Sequence, residues 1–211
     1  MATPLPVWCK IRLLSSKEDT IAFARLLQAA GCSLLAVHGR FREQRNRVAA
    51  DWSAIANVVE AVDIPVFANG SITSYQGAVK CQEQTGAAGV MVATGLLVNP
   101  WAFDPVLESA VVGPGPSEAL RMAREYLEHA QRFPPPASFY GRCVRDHLQY
   151  MLERDLKPTD RRMWGVLSNP KLTSHRQFVQ LLDLVALLLL GPDAHAQGRE
   201  EPTLREVLSS G

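Results

Sequence analysis

Hydrophobic and polar positions alternate with two different periods along the first hundred residues. From Pro6 to Leu13 the period is two: Val7, Cys9, Ile11 and Leu13 fall on one face of a strand, and Trp8, Lys10 and Arg12 on the other. Ser16 then caps a helix running to about Ala30, with Asp19 three positions on and Gly31 as its stop. The apolar run Leu34–Val37 predicts a second strand, closing on His38-Gly39-Arg40. Past a polar loop, Ile55, Val58, Val59 and Val62 form one stripe of a helix near 52–62. Ile64–Ala68 reads as a third strand, ending in Asn69-Gly70. Ser74 caps a short helix up to Gly86, and Gly89–Ala93 makes a fourth strand.

Four strand–helix steps at a spacing of roughly 25–30 residues point to a parallel α/β sheet or barrel. In such folds ligand chemistry gathers at the carboxyl ends of the strands. His38, Asn69 and the Ala93-Thr94-Gly95 turn all fall there. The pattern changes at Gly113-Pro114-Gly115-Pro116, a linker-like break. Beyond it, helices are expected near Ser117–Arg132, Phe139–Asp155, Pro158–Leu167 and Ser174–Leu190. The chain after Gly191 is polar and acidic, with one turn expected at Leu204–Leu208. The sequence thus divides into 1–112, 117–190 and a flexible tail over 191–211.

Composition adds exclusions. With 47% hydrophobic and 20% charged residues, the 211-residue chain is neither fibrous nor disordered throughout. Cys9, Cys32, Cys81 and Cys143 are scattered with no C-x-x-C pair, which predicts neither disulfides nor a metal centre and suits a reducing compartment. The start has no signal-peptide pattern, and the run Leu184–Leu190 is too short to cross a bilayer, so a soluble intracellular protein is expected. Net charge is +1, unevenly spread: residues 117–180 hold 11 basic and 7 acidic side chains, whereas 1–116 balance at 9 and 9. A basic excess of that size attracts polyanions weakly.

Lys10 and Arg12 on one strand face are costly to bury unless something anionic meets them; otherwise the strand is a solvated edge. His38 is either a ligand contact, a base or a loop histidine with its bonds satisfied. Asn69-Gly70 after an apolar strand offers backbone N–H groups to an anion, or is an ordinary turn. Ala93-Thr94-Gly95 is a second turn of that kind, and two such turns after adjacent strands make a more specific signal than either alone. Arg42, Arg45 and Arg47 form a basic loop. Cys143 and His147, one helical turn apart, read as core rather than as a metal pair.

Together, Val7-Trp8-Cys9-Lys10-Ile11-Arg12, Val37-His38-Gly39-Arg40, Ile64-Pro65-Val66-Phe67-Ala68-Asn69-Gly70-Ser71-Ile72, Gly89-Val90-Met91-Val92-Ala93 and Asn99-Pro100 resemble the tRNA-dihydrouridine synthases, most closely their eukaryotic cytosolic branch. The motifs occur in family order over residues 5–105. The resemblance implies a (β/α)8 TIM-barrel type of fold, of which only the last four βα units are present, followed by an all-helical RNA-binding domain. It implies an FMN flavoprotein that reduces a uridine in the D-loop of tRNA to dihydrouridine with NADPH as electron donor, in the cytoplasm or the nucleus. Lys10 would then contact the pyrimidine edge of the flavin, where negative charge develops on reduction. His38 would lie against the cofactor, and Asn69-Gly70-Ser71 with Ala93-Thr94 would hold its phosphate. The family often has Asp in place of Ser71 and Gly-Arg in place of Ala93-Thr94, so a grip made mainly by backbone is expected here. Arg142, Arg145, Arg161 and Arg162 would meet the tRNA backbone, where affinity comes mostly from phosphate neutralisation; the plain alternative is solvated helix faces beside Asp146 and Asp160.

None of the four cysteines matches the family's catalytic cysteine, the acid that protonates the uracil ring, so no catalytic residue is assigned. The first four βα units have no counterpart in these residues. A half-barrel leaves two open strand edges, which predicts a missing N-terminal half-barrel as partner or self-association. Two alternatives stand beside the enzyme: a non-catalytic RNA-binding or regulatory remnant, and a different FMN barrel related to dihydroorotate dehydrogenases. The basic helices argue against the latter.

Overall fold

The computed structural model describes residues 5–44, 48–100, 102–105, 115–191 and 203–209. The chain forms two compact units, Met1–Ser109 and Ala110–Gly211. The break between them lies in 106–114, outside the described residues, as do Arg45 and Arg47 of the basic loop.

In the first unit four parallel strands stand in sequence order: β1 (Val7–Leu13), β2 (Cys32–Phe41), β3 (Val66–Asn69) and β4 (Gly89–Met91). The helices α1 (Lys17–Ala29), α2 (Trp52–Ala61) and α3 (Tyr75–Thr85) connect them, and each has a side-chain cap. Ser16, Asp51 and Ser74 accept from the backbone N–H of Asp19, Ala54 and Gly77, satisfying donors that a helix start leaves free. One sheet face buries Ile11, Leu13, Leu35, Val37, Val66 and Ala68 against Ile55 and Val58 of α2 and Ala78 and Cys81 of α3. The other face carries Lys10 and Arg12.

Three boundaries differ from the sequence pattern. The strand expected over Leu34–Val37 runs from Cys32 to Phe41, so His38, Gly39 and Arg40 lie within β2 and not beyond its end. Backbone pairing extends it: Arg12 pairs with His38 and, past an irregularity, Leu13 pairs with Phe41. β3 starts at Val66, since Pro65 has no N–H to give a ladder. After β4 the expected turn becomes a short helix, α4 (Thr94–Val98), entered through Ala93. A clasp closes the segment after β2: Asp51 N–H donates to Gly39 O at 2.6 Å. A Cβ on Gly39 would lie 2.7 Å from Asp51 O, so only glycine permits this approach.

The second unit is helical, built from α5 (Pro116–Arg132), α6 (Tyr140–Thr159), α7 (Arg161–Leu167), α8 (His175–Leu190) and α9 (Leu204–Ser209), with a 3-10 turn over Ala137–Phe139. Ala119, Leu120, Ala123, Leu127 and Ala130 make the inward stripe of α5 and meet Val144, Leu148 and Leu152 of α6 and Phe178, Leu181 and Val185 of α8. Ser174 and Gln177 form a capping box at the start of α8. The helix expected to open at Pro158 does not. α6 runs through Pro158 to Thr159, because a proline in the last turn forfeits few backbone bonds, and Asp160 then caps α7. The tail expected to be flexible contributes α9, whose Val207 is buried and whose carbonyl accepts from Gln177 Nε2 at 3.1 Å. No helix among the described residues is long and apolar enough to cross a membrane.

Candidate functional site

Register alone assembles the site. Arg12 of β1 pairs with His38 of β2, His38 with Asn69 of β3, and Asn69 with Met91 of β4, so one row crosses all four strands. Neighbours in a parallel sheet point to the same face. The row therefore lines the sheet face opposite the helices, near the carboxyl ends, with Lys10 and Arg40 one pleat to either side. A cavity of ≈ 690 Å³ opens there. All seven residues singled out from the sequence for a cofactor line it: Lys10, His38, Asn69, Gly70, Ser71, Ala93 and Thr94. Arg12 and Arg40 line it too.

Its polar groups are set by backbone partners. Asn69 Nδ2 donates to Met91 O at 2.6 Å, tying β3 to β4. Trp52 Nε1 donates to Gly70 O at 3.1 Å and pins the turn from outside. Gly70 has φ +113°, and a Cβ there would lie 2.8 Å from both Ala50 Cβ and His38 Cδ2, so the turn admits only glycine. Ser71 adopts φ 61°, uncommon without glycine; its Oγ accepts from Ala50 N at 2.8 Å and from Arg40 Nη2 at 2.9 Å. Arg40, only 6% exposed, also donates from Nε to Val48 O at 2.5 Å and from Nη1 to His38 Nε2 at 3.0 Å. Arg12 Nη1 donates to Phe41 O and Gln44 O.

The electrostatics point one way. Among the described residues no carboxylate lines the cavity, whereas Lys10, Arg12 and Arg40 do. Burial, and then the charges of Arg12, Lys10 and Arg40, lower the His38 pKa from 6.5 to about 4, so this imidazole is neutral at pH 7. Desolvation, with Arg12 beside them, also pulls the Lys10 and Arg40 pKa values below their ordinary range. Crowded cations with no internal counter-ion are stabilised by an anionic, acceptor-rich ligand. The volume lies within the roughly 300–1,000 Å³ usual for small-molecule sites.

The four arginines offered for RNA are not gathered into one patch. Arg142 and Arg145 lie in the first turns of α6, with Arg142 3.8 Å from Asp146 and Arg145 Nη1 donating to Asn169 O. Arg161 and Arg162 open α7 beyond the other end of α6, roughly 20 Å away at 1.5 Å per residue. Cys143 and His147 make no metal site, and no group of three His, Cys, Asp or Glu among the described residues is placed to hold one. Instead His147 Nδ1 donates to Cys143 O and the ring stacks on Tyr126. The sequence reading gave no role to Trp52 or Arg40. The alternation His38-x-Arg40 is the signal for Arg40, masked because two polar residues interrupt the apolar run of β2.

Fold and cavity define a class, a parallel α/β protein with a cationic cavity at the carboxyl ends of its strands. Comparison with known proteins narrows it. The family model for dihydrouridine synthase (Dus) matches residues 1–162, and the chain belongs to that family. It is 42% identical over 147 residues to a mouse protein named tRNA-dihydrouridine(16/17) synthase NAD(P)(+)-like, covering 68% of this chain and 28% of that one. A mouse tRNA-dihydrouridine(20a/20b) synthase-like protein is 32% identical over 160 residues, 76% of this chain and 45% of the relative. A mouse tRNA-dihydrouridine(47) synthase-like protein is 37% identical over 132 residues, 59% and 21%. The chain thus spans less than half the length of these relatives. Their names differ in the tRNA position, so likeness to them selects none.

Proposed function

We propose that this chain forms the flavin-binding and RNA-binding portion of a tRNA-dihydrouridine synthase, which reduces a uridine in the D-loop of tRNA to dihydrouridine with FMN as cofactor and NADPH as electron donor. In this reading the sheet is the second half of a (β/α)8 barrel and the helical unit binds tRNA. One observation carries it: a cavity bounded by three cations, with no carboxylate among its described lining residues, at the carboxyl ends of four parallel strands of this family.

The donor set fits the cofactor. FMN carries a phosphate and a ring rimmed mostly with acceptors, and the cavity offers Lys10, Arg12, the Ser71 hydroxyl and the backbone of two turns. When bound, FMN supplies the reducing equivalents that saturate the uracil ring. Lys10 holds a positive charge with no ion-pair partner among the described residues, suited to the electron-rich pyrimidine edge of the flavin. Asn69 keeps one amide proton and its Oδ1 for ligand after bonding Met91. Asn69-Gly70-Ser71 and Ala93-Thr94 stand where a phosphate meets backbone N–H groups. Arg142, Arg145, Arg161 and Arg162 are the RNA contacts of this reading, now as two separate pairs.

No cysteine lines the cavity: Cys9 lies on the helix-side face of β1 and Cys81 in α3. In this reading the strands supply no thiol for the proton that the uracil ring needs. β1 and β4 each have an outer edge unpaired among the described residues, and Trp8 near the start of β1 is 67% exposed. An N-terminal half-barrel or a second copy would pair there. The four free thiols suit a cytoplasmic or nuclear setting.

The visible absorption spectrum of the purified chain titrated with FMN tests the proposal. A flavin band that stays with the protein and is released on denaturation is expected. No retained flavin at excess FMN sinks the cofactor assignment, and retained flavin without tRNA reduction, alone or with a second half-barrel, leaves the remnant reading.

A further inference from the structure

Arg40 holds a charge inside the protein without a carboxylate, and all three of its described bonds are spent on fixing other groups: Val48 O, Ser71 Oγ and His38 Nε2. A guanidinium can only donate. The ring nitrogen that meets it at 3.0 Å must therefore present a lone pair, so Nε2 of His38 carries no proton. A neutral imidazole then keeps its proton on Nδ1, which has no hydrogen-bond partner among the described residues. We propose that Arg40 is a positioning residue that sets His38 as the neutral Nδ1–H tautomer, making it a fixed donor to an acceptor atom of the ligand in the cavity.

Three further observations fit this assignment. The ring edge lies close against the turn: a Cβ on Gly70 would sit 2.8 Å from His38 Cδ2 and 3.0 Å from Nε2. Ser71 Oγ accepts twice, from Ala50 N and Arg40 Nη2, so its own hydroxyl proton is also left to donate. Finally, the charged groups that line the cavity beside His38 are Lys10, Arg12 and Arg40, with no carboxylate to favour an imidazolium. A neutral histidine that another cation has pre-set gives a donor array unchanged between pH 5 and pH 9. The inference deepens the flavin reading, naming how the cavity is ordered for an acceptor-rich ligand, but its test needs no flavin.

Imidazole ¹⁵N shifts of the ligand-free chain, assigned through a His38→Gln spectrum, read the tautomer directly. The expected result at pH 7 is a protonated Nδ1 and a bare Nε2, with no titration of His38 until below pH 5. In Arg40→Met burial and the charges of Arg12 and Lys10 keep the ring's pKa below the ordinary 6.5, but the ring should lose that tautomer preference. Arg40→Lys should recover part of it, since one ammonium donor replaces a three-way clamp. A protonated Nε2 in the unmutated chain overturns the proposal without any variant. So does an Arg40→Met chain of native amide dispersion whose His38 tautomer is unchanged. If the tautomer is as expected but FMN does not bind, the positioning role stands and the flavin reading falls.

Discussion

The two units use the same kind of residue for opposite ends. The six ion pairs among the described residues all lie in the helical unit, where Arg121 bridges Glu118 and Glu125, Lys157 meets Glu153, and Arg124 reaches Asp183 at 2.7 Å. The sheet unit brings Lys10, Arg12 and Arg40 to one cavity with no carboxylate among them. Charges matched within the chain stabilise it, whereas charges left unmatched raise the folding cost and lower the cost of binding an anion. The contrast separates a cavity whose cations await an anion from a helical unit whose described ion pairs are internal.

The strongest way to break that contrast is to damage each unit and ask which property goes with it. Leu148 is fully buried at the centre of the helical core, and Leu148→Ala should cost roughly 2–5 kcal/mol by chemical denaturation. Phosphate or FMN binding to the sheet unit should survive it; a parallel loss of binding would show that the units are not energetically separate. Gly70→Ala forces a Cβ into contacts of 2.8 Å at positive φ, and should cost roughly 2–4 kcal/mol along with cavity binding, while the helical signal by circular dichroism persists.

A smaller effect sharpens the comparison through pH. His38 takes up a proton near 6.5 when unfolded and only near 4 when folded. Between those values the unfolded chain holds the extra proton, so stability falls as pH drops from 6.5 toward 4. His38→Asn should flatten the melting temperature in that window relative to the parent chain, and equal slopes for the two would remove His38 from the account. At the small end, Arg121→Ala cuts two bridges whose partners are all more than 40% exposed, and should change stability by less than about 1 kcal/mol. A larger loss would mean that surface pairs hold the helical unit more than its core geometry suggests.

Much of this arrangement was legible before the structure, and the reasons are local. Ser16 and Ser74 announce helices because an N-cap is a contact within four residues, and the stripe Ile55-Val58-Val59-Val62 needs only helical spacing. Lys10, His38, Asn69-Gly70 and Ala93-Thr94 could be placed at one end of the sheet because parallel connections carry strand ends to the same side. What was hidden is non-local. β2 reaches Phe41 through pairing with Leu13, and its buried polar residues His38 and Arg40 disguise it as loop. The work of Arg40 depends on Val48, which is eight positions on, and Ser71, which is thirty-one. The two arginine pairs looked like one set because the intervening length of α6 is invisible to a count of charges.

The Gly39–Asp51 clasp carries an implication for how this family can diversify. It joins the two ends of a short peptide segment by backbone alone, one end in β2 and the other at the residue that caps α2. Lengthening a closed segment costs only about 0.6 kcal/mol per doubling. Residues between Arg42 and Val48 are therefore a natural site for insertion or exchange. Evolution or an engineer can rewrite that stretch while the histidine and the helix on either side of the clasp stay where they are.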